Sequence, residues 1–467
     1  MKKSHQAQKH NKTQSKSTSA KKPRVSNEVR IDAKNPIPLD SSGRAYSFTS
    51  GTQYLPYLAP SDDFARQMLE ARLLSPTHNR CIVSKSRYCV GDGFASIDGK
   101  DLDPNFVQWM KTINRKSSSA RKASKQLFED FFTWGNVPIE LVRFKVAGTP
   151  YFCVYVHNFM EWRLGSPDED DICDTALQSK LFLRNARCLT RDEIRRSKKL
   201  PIYNPLNKDS ANWKKMPDGS ERTVIWYQNT FSGFPYYGLP TAVASMIHQI
   251  LEYKGARYNL DNFDNNMVLS AILALKGNLS QDEANRIGKQ AVKTHTGDGK
   301  RGRVMVVASE EGIDGSDLHT LETSRDGSFI EADDKWQDKI FVANEWDPIL
   351  CGVMSQSAMG KGSGFFTKVL EWTNRNVILP AQQDCYNEVW YHVFKLAAAW
   401  MGFNIDPSNI QIQTNIDISG LTDVDVTPAV RVNEVRRAKG LPEDPTTKGE
   451  MYLSELKQKK DVTNVQD

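Results

Sequence analysis

Phe234-Pro235-Tyr236-Tyr237-Gly238-Leu239-Pro240-Thr241 opens the stretch on which the reading of this chain turns, and that stretch continues to Asn266. Gly238 allows a turn, and Pro240 suits the first turn of a helix, where its missing N–H is no loss. Leu239, Val243, Met246, Ile247, Ile250 and Leu251 then recur at spacings of three and four, which predicts a helix with one apolar face. Gln249, Glu252, Lys254 and Arg257 fall on the side expected to be wet, and the run dissolves into Asp261, Asn262, Asp264, Asn265 and Asn266. Taken alone this is the pattern of any surface helix. Its meaning comes from its neighbours.

The chain has 467 residues, room for about two to four domains and a sizeable core. No run of eighteen apolar residues occurs, so no membrane-spanning helix is expected. The basic N-terminus lacks the apolar segment of a secretory signal. Residues 1–24 hold eight Lys or Arg and no acid, whereas the whole chain is +6, which leaves −2 for the remainder. Residues 1–46 are therefore expected to be a disordered basic arm, and the rest is not charged to grip nucleic acid tightly. Cys81, Cys89, Cys153, Cys173, Cys188, Cys351 and Cys385 form no CxxC pair, and the histidines show no ligand spacing. Reduced thiols are expected, and no metal or other cofactor is.

Upstream of the opening stretch, Ser61 reads as the N-cap of a helix carrying Phe64, Met68, Leu69, Leu73 and Leu74 and ending before Pro76. Val90-Gly91-Asp92-Gly93-Phe94 reads as a turn beside a strand. A helix over 120–133 ends at Trp134-Gly135-Asn136, and the alternation of Val137, Ile139, Leu141 and Arg143 predicts a strand over 138–145, with others at 151–157 and 223–227. Residues 47–236 are thus expected to be an α+β unit of helices and antiparallel strands. Asp168, Glu169, Asp170, Asp171 and Asp174 form an acidic cluster that lacks the glycine and terminal glutamate of a calcium loop, and it reads as a solvated loop.

Downstream, the apolar run 267–275 suits a buried strand, Ser280 and Glu283 cap a helix through 293, and 303–308 gives a second strand. Ser328 and Glu331 form another capping box, opening a helix over 329–346. Phe329, Ala332, Trp336, Ile340 and Ala343 lie along one face of it, with Glu331, Asp334, Asp338 and Glu345 along the other. The glycine-rich segment 355–364 precedes a long helical pattern over 365–400, interrupted at Pro380. Pro428 opens a last helix, which Gly440-Leu441-Pro442 closes.

Two glycine strings fail as nucleotide sites. Gly297-Asp298-Gly299-Lys300-Arg301-Gly302 matches GxGxxG, but a helix precedes it and a strand follows, the reverse of what pyrophosphate binding needs. A Walker loop at Gly360-Lys361 would need glycine where Ser355 stands and serine or threonine where Gly362 stands. No nucleophile–base set or carboxylate pair declares itself locally, so an enzyme is unsupported, although such sets can be assembled from distant positions.

Val90-Gly91-Asp92-Gly93-Phe94, Gly135-Asn136 leading to Glu140 and Arg143, Tyr237-Gly238-Leu239-Pro240, and Val432-Asn433-Glu434-Val435-Arg436 with Gly440-Leu441-Pro442 occur in an order that resembles the portal proteins of tailed bacteriophages. These are the head-to-tail connectors, and the resemblance runs from about Phe64 to Pro442. It implies a non-enzymatic ring, usually a dodecamer, at one capsid vertex of the virion, assembled in the host cytoplasm and touching no membrane. Double-stranded DNA would be packaged and ejected through it. The implied partners are the terminase large subunit, which would hydrolyse the ATP, a head-tail adaptor, and the major capsid and scaffolding proteins.

On that mapping 47–236 would be the wing, 237–266 a first stem helix, 267–318 a small strand-helix-strand clip and 319–346 a second stem helix. Residues 347–364 would be the tunnel loop, 365–402 a long kinked helix of the wing, and 403–467 the wing return with a small crown. Glu331, Asp334 and Asp338 would face the DNA channel and repel the phosphate backbone, because each neutralised phosphate adds affinity and would slow passage. Lys361 would add a sparse positive ring, and Lys300, Arg301 and Arg303 would dock motor and adaptor. Two rivals stay open: a metal-dependent nuclease of the packaging apparatus using the acids at 168–174, and a structural adaptor or scaffold without a channel.

Overall fold

The computed structural model describes residues 54–58, 62–184, 189–265, 269–276, 286, 303–309, 318–320, 326–353, 363–414, 431–433 and 451. Helices α1 (Phe64–Leu74) and α2 (Pro76–Val90) lead through β1 (Gly93–Ser96) to α3 (Pro104–Lys111) and α4 (Ala120–Trp134). Strands β2 (Asn136–Val146), β3 (Thr149–Val156), β4 (Trp162–Leu164) and β5 (Thr175–Gln178) follow. The short helices α5 (Leu181–Arg184) and α6 (Arg191–Arg196) precede β6 (Lys198–Pro201), and α7 (Asp209–Asn212) precedes β7 (Lys214–Lys215) and β8 (Glu221–Gln228). Helix α8 (Met246–Asn265) leads to β9 (Leu269–Lys276), β10 (Arg303–Ser309) and β11 (Leu318–Thr320). Then come α9 (Asp326–Ala343), α10 (Ser363–Thr373), α11 (Leu379–Cys385), α12 (Tyr391–Met401) and β12 (Ile410–Gln413).

The alternation read from the sequence builds the main sheet, β3-β2-β8-β7, antiparallel throughout. Val137, Ile139 and Leu141 point into a core shared with Phe128 of α4 and Val393 and Phe394 of α12. A second antiparallel sheet, β4-β5-β6, joins it through a bridge between Ile202 and Val224. Between α10 and α12 the chain makes two π-helical turns, Asn374–Ile378 and Tyr386–Trp390. The first ends just ahead of Pro380, so the proline sits in the opening turn of α11, where its missing donor and its ring are tolerated.

A hydrogen-bonded junction ties the end of α4 to the lead-in of α8. Asn136 Nδ2 donates to Gly238 O at 2.7 Å and to Trp134 O at 2.9 Å, and Gly238 N donates back to Asn136 Oδ1 at 2.9 Å. Asn229, at the end of β8, donates through Nδ2 to Leu239 O at 2.6 Å, and its own N–H goes to Gly135 O. Gly135 closes α4 with φ +67, and a Cβ there would lie 2.5 Å from the Leu239 carbonyl carbon. A Cβ on Gly238 would lie 2.3 Å from Gly135 O. Backbone this close admits only glycine on both sides. Below the junction Tyr57, Phe64, Trp134, Phe159, Tyr237 and Leu239 fill a second core.

Several local expectations change. Pro240 is the N-cap of a 3-10 turn, Thr241–Ser245, that runs into α8. Gln249 and Glu252 are buried instead of wet, because Gln249 donates to Ser245 Oγ and Glu252 accepts from Ser75 Oγ and Thr77. Asp63, not Ser61, precedes α1, and its side chain makes no cap. Helix α2 was not expected, although Ser75 caps His78 N and Pro76 takes the first turn, which is a recognisable start signal. Helix α9 begins at Asp326, so Ser328 lies inside its first turn and is no cap. In the insert β9 and β10 pair in parallel, and β11 joins β9 antiparallel. Apart from Arg286, which is helical, the expected helix at 280–293 lies outside the described residues, as do most of 355–364 and most of the last helix.

Alanine at Gly238 is expected to lower unfolding free energy by about 3 kcal/mol or more, through overpacking against Gly135 O and Asn229 O. Asn136→Ala, which strands buried backbone groups, should lower it by about 2 kcal/mol. Urea unfolding of the full chain checks both; wild-type midpoints would remove the junction from the fold's supports.

Candidate functional site

Helix α9 carries two of the three expected acidic channel residues with described side chains. Ile340 and Phe341 are buried, and Trp336 lies against α8 at Gly255, where a Cβ would sit 2.7 Å from the indole. Asp334 and Asp338 are exposed, one turn apart, and Lys335 and Lys339 are exposed beside them. The solvent face of α9 is therefore of mixed charge, with an acidic row next to a basic one. Glu331 lies on the same helix, one turn before Asp334 and Lys335. Arg303 opens β10, and Lys300, Arg301 and Lys361 lie outside the described residues.

Polar side chains of α2 fix the roots of both long helices. Glu252 of α8 sits at the α2 N-terminus, where unpaired N–H groups and the helix dipole favour an anion. At the other root, Lys85 Nζ donates to Asn344 O at 3.1 Å, just past the end of α9, and Asn344 Nδ2 lies 3.1 Å from His78 Nδ1. Burial, with Arg72 nearby, lowers the His78 pKa to about 3, so the ring is neutral and Nδ1 accepts from Asn344 Nδ2. Arg80 Nε donates to Cys351 O and Ser84 Oγ to Leu350 O, which hold the turn after α9.

A dense cluster of charges among the described residues lies elsewhere, on the face of the main sheet that carries Glu140. Glu140, its side chain only 4% exposed, accepts from Lys198 Nζ, from Arg222 Nη1 at 3.1 Å, and lies 2.8 Å from His157 Nε2. Burial raises its pKa, but the His157 hydrogen bond and the Lys198 ammonium outweigh it and bring the group down to about 2. Lys198 is itself lowered by burial, partly offset by Glu140. These residues floor a groove of 590 Å³ whose lining also includes Arg115, Lys116, Tyr155 and Asp218. Sequence reasoning placed Glu140 on a strand but not this cluster. Its partners come from the residue after β3, from β6 and from β8, and nothing local links them.

The acidic loop is exposed between β4 and β5. Asp168 Oδ1 accepts from Asp170 N and Ile172 N, and Asp171 Oδ1 accepts from Tyr236 Oη at 3.1 Å. Among the described residues no group of acids, histidines and cysteines is arranged to hold a metal ion, and no helix is long and apolar enough to cross a membrane.

No protein-family model and no curated protein matches the chain. Solved structures do. A chain from the neck of an empty gene transfer agent (GTA) particle, computed with C6 symmetry, matches with TM-score 0.53 and 14% identity over 82% of this chain and 95% of that one. A chain from the neck of the native GTA particle, computed with C12 symmetry, matches with TM-score 0.52 and 14% identity over 81% and 94%. An HK97 family phage portal protein from Corynebacterium diphtheriae gives TM-score 0.39 and 12% identity over 73% and 94%. The chain thus has the fold of the GTA neck chains across nearly their full length.

The depressed Glu140 pKa carries a sign. Its stabilisation is present above the ordinary glutamate range and is lost as pH falls from about 4.5 towards 2. Glu140→Gln should lower unfolding free energy by about 2–3 kcal/mol at pH 7, the burial of Lys198 offsetting part of the pair. The gap to wild type should shrink below about pH 4.5 and close towards pH 2, as urea titrations at pH 7 and at about pH 2 will read.

Proposed function

We propose that the chain is a portal protein, one subunit of a closed ring at a capsid vertex of a tailed bacteriophage or related particle, through which double-stranded DNA is packaged and later ejected. The observation that carries this reading is the fold it shares with the GTA neck chains over 94–95% of their length. One of those necks was computed with C12 symmetry, and carried to this chain that gives twelve copies about an axis.

In that ring 47–236 forms the wing, α8 and α9 the stem, 267–318 the clip, and 347–364 the tunnel loop, with 365–402 returning to the wing. The ring itself does no chemistry. ATP hydrolysis belongs to the terminase large subunit, which docks on the clip through Lys300, Arg301 and Arg303 before the head-tail adaptor replaces it, and capsid and scaffolding proteins surround the wing. Glu331, Asp334 and Asp338 face the channel. The exposed Lys335 and Lys339 support a wall that neither grips nor expels a duplex, because interleaved charges offer no continuous basic track to neutralise phosphates. Lys361 supplies only transient contacts.

Electron microscopy of the purified chain, alone and with its capsid partners, should show twelvefold rings of about 635 kDa, from 52.9 kDa per chain, with an open axial channel. Monomers that persist with those partners present would overturn the ring. Changing Glu331, Asp334 and Asp338 to Lys together turns a mixed face basic. It should leave rings intact while slowing DNA packaging, most strongly at low salt. Packaging rates equal to wild type at every salt concentration would take those residues off the channel wall.

A further inference from the structure

The groove over Glu140 has more positive charge than its own carboxylates balance. Lys198 and Arg222 on its floor share Glu140, and Arg222 also meets Asp218 at 2.9 Å. Arg115, its guanidinium 5.4 Å from the Phe144 ring centroid, and Lys116 are exposed, while the two carboxylates of the lining, Glu140 and Asp218, are met by Lys198 and Arg222. Lys145 lines it too, but its ammonium lies over the Trp400 ring, 5.3 Å from the centroid. An occupant should therefore be anionic. The basic arm at residues 1–24 is excluded by its own charge.

The chain offers one strongly acidic exposed segment among its described residues, the loop between β4 and β5, with Glu169, Asp170 and Asp174 facing solvent. Strand β5 relates the two surfaces. Its first residue, Thr175, follows the acidic loop, and its last, Gln178, lines the groove and pairs with Lys198. Four residues of strand put the ends about 10 Å apart, and the bond from Tyr236 Oη to Asp171 holds the loop at the far end. Loop and groove thus lie at opposite ends of β5.

We infer that the acidic loop of one copy docks in the basic groove of the next. Such a contact joins two different patches, so it propagates head to tail and closes into a ring when the rotation per subunit is right. This inference rests on the ring reading above and names a surface that holds the ring together. Its electrostatic part sets register and partner choice.

The test is a charge swap on the full chain, at exposed positions away from Glu140. A loop-reversed variant carries Glu169→Lys and Asp170→Lys; a groove-reversed variant carries Arg115→Glu and Lys116→Glu. Circular dichroism and melting confirm that each is folded as wild type. Each alone should raise the protein concentration needed for half-assembly by about tenfold or more at low salt. A chain carrying all four changes, or an equal mixture of the two variants, should assemble near the wild-type concentration, because the reversed patches again match. Wild-type rings indifferent to both reversals overturn the docking and leave the ring reading standing. Failure of both the four-fold chain and the mixture to recover also overturns the docking. A groove-reversed variant that assembles normally but retains less DNA overturns it in favour of a nucleic-acid contact. Wild-type protein that never exceeds a monomer, with capsid partners present, overturns ring and docking together.

Discussion

The exchange of hydrogen bonds between the Asn136 carboxamide and the Gly238 peptide is the constraint on which the arrangement depends. It joins points 102 residues apart, the start of the central strand and the lead-in to the first long helix. Both are buried, so every N–H and C=O there needs a partner. A side chain with one donor and one acceptor face meets a peptide edge in both directions, and Asn229 completes the set with Leu239 O. Glycine at 135 and 238 lets the two backbones approach closely enough. The direction in which α8 leaves the core is fixed at this point.

From there the polar side chains of α2 carry rigidity outward. Glu252 belongs to α8, and Asn344 follows α9, yet both are held by α2, one at its N-terminal hydroxyls and the other by Lys85 and His78. A buried charge with unmet hydrogen bonds is costly, and these contacts meet that need for Glu252 and Lys85. The helix pair therefore rises from a fixed base. The first π turn ends just ahead of Pro380, and the long helix carries that proline in the opening turn of α11.

Much of this was legible in the residues. The alternation of Val137, Ile139 and Leu141 gave the strand and its buried face, and the spacing of Val243, Met246 and Ile250 gave α8 and its apolar stripe, although Ile247, expected on that stripe, is exposed. Side-chain periodicity is imposed by the backbone repeat, so it survives in one dimension. Other features were misjudged. Gln249 and Glu252 looked wet because polarity usually means solvent, whereas here a helix N-terminus 175 residues away in sequence satisfies the carboxylate. Ser328 looked like a cap because three-residue spacing cannot tell a cap from a first turn.

Local pattern was enough for α1, α4, α8 and α9, for β2, β3 and β8, for the near-neutral body behind a basic arm, and for the glycine-asparagine signatures that resembled a portal, but not for α2, α3 or the sheet β4-β5-β6. What local pattern reached is written in neighbouring residues or in their repeat. It took the folded chain to show that Gly135-Asn136 and Tyr237-Gly238-Leu239-Pro240 are two halves of one junction and that Glu140 gathers Lys198, Arg222 and His157. Charge and hydrogen bonding act through space across a few ångströms, while the sequence separates those partners by 17 to 102 residues. No spacing rule spans such gaps. The chain had to fold before those groups could meet.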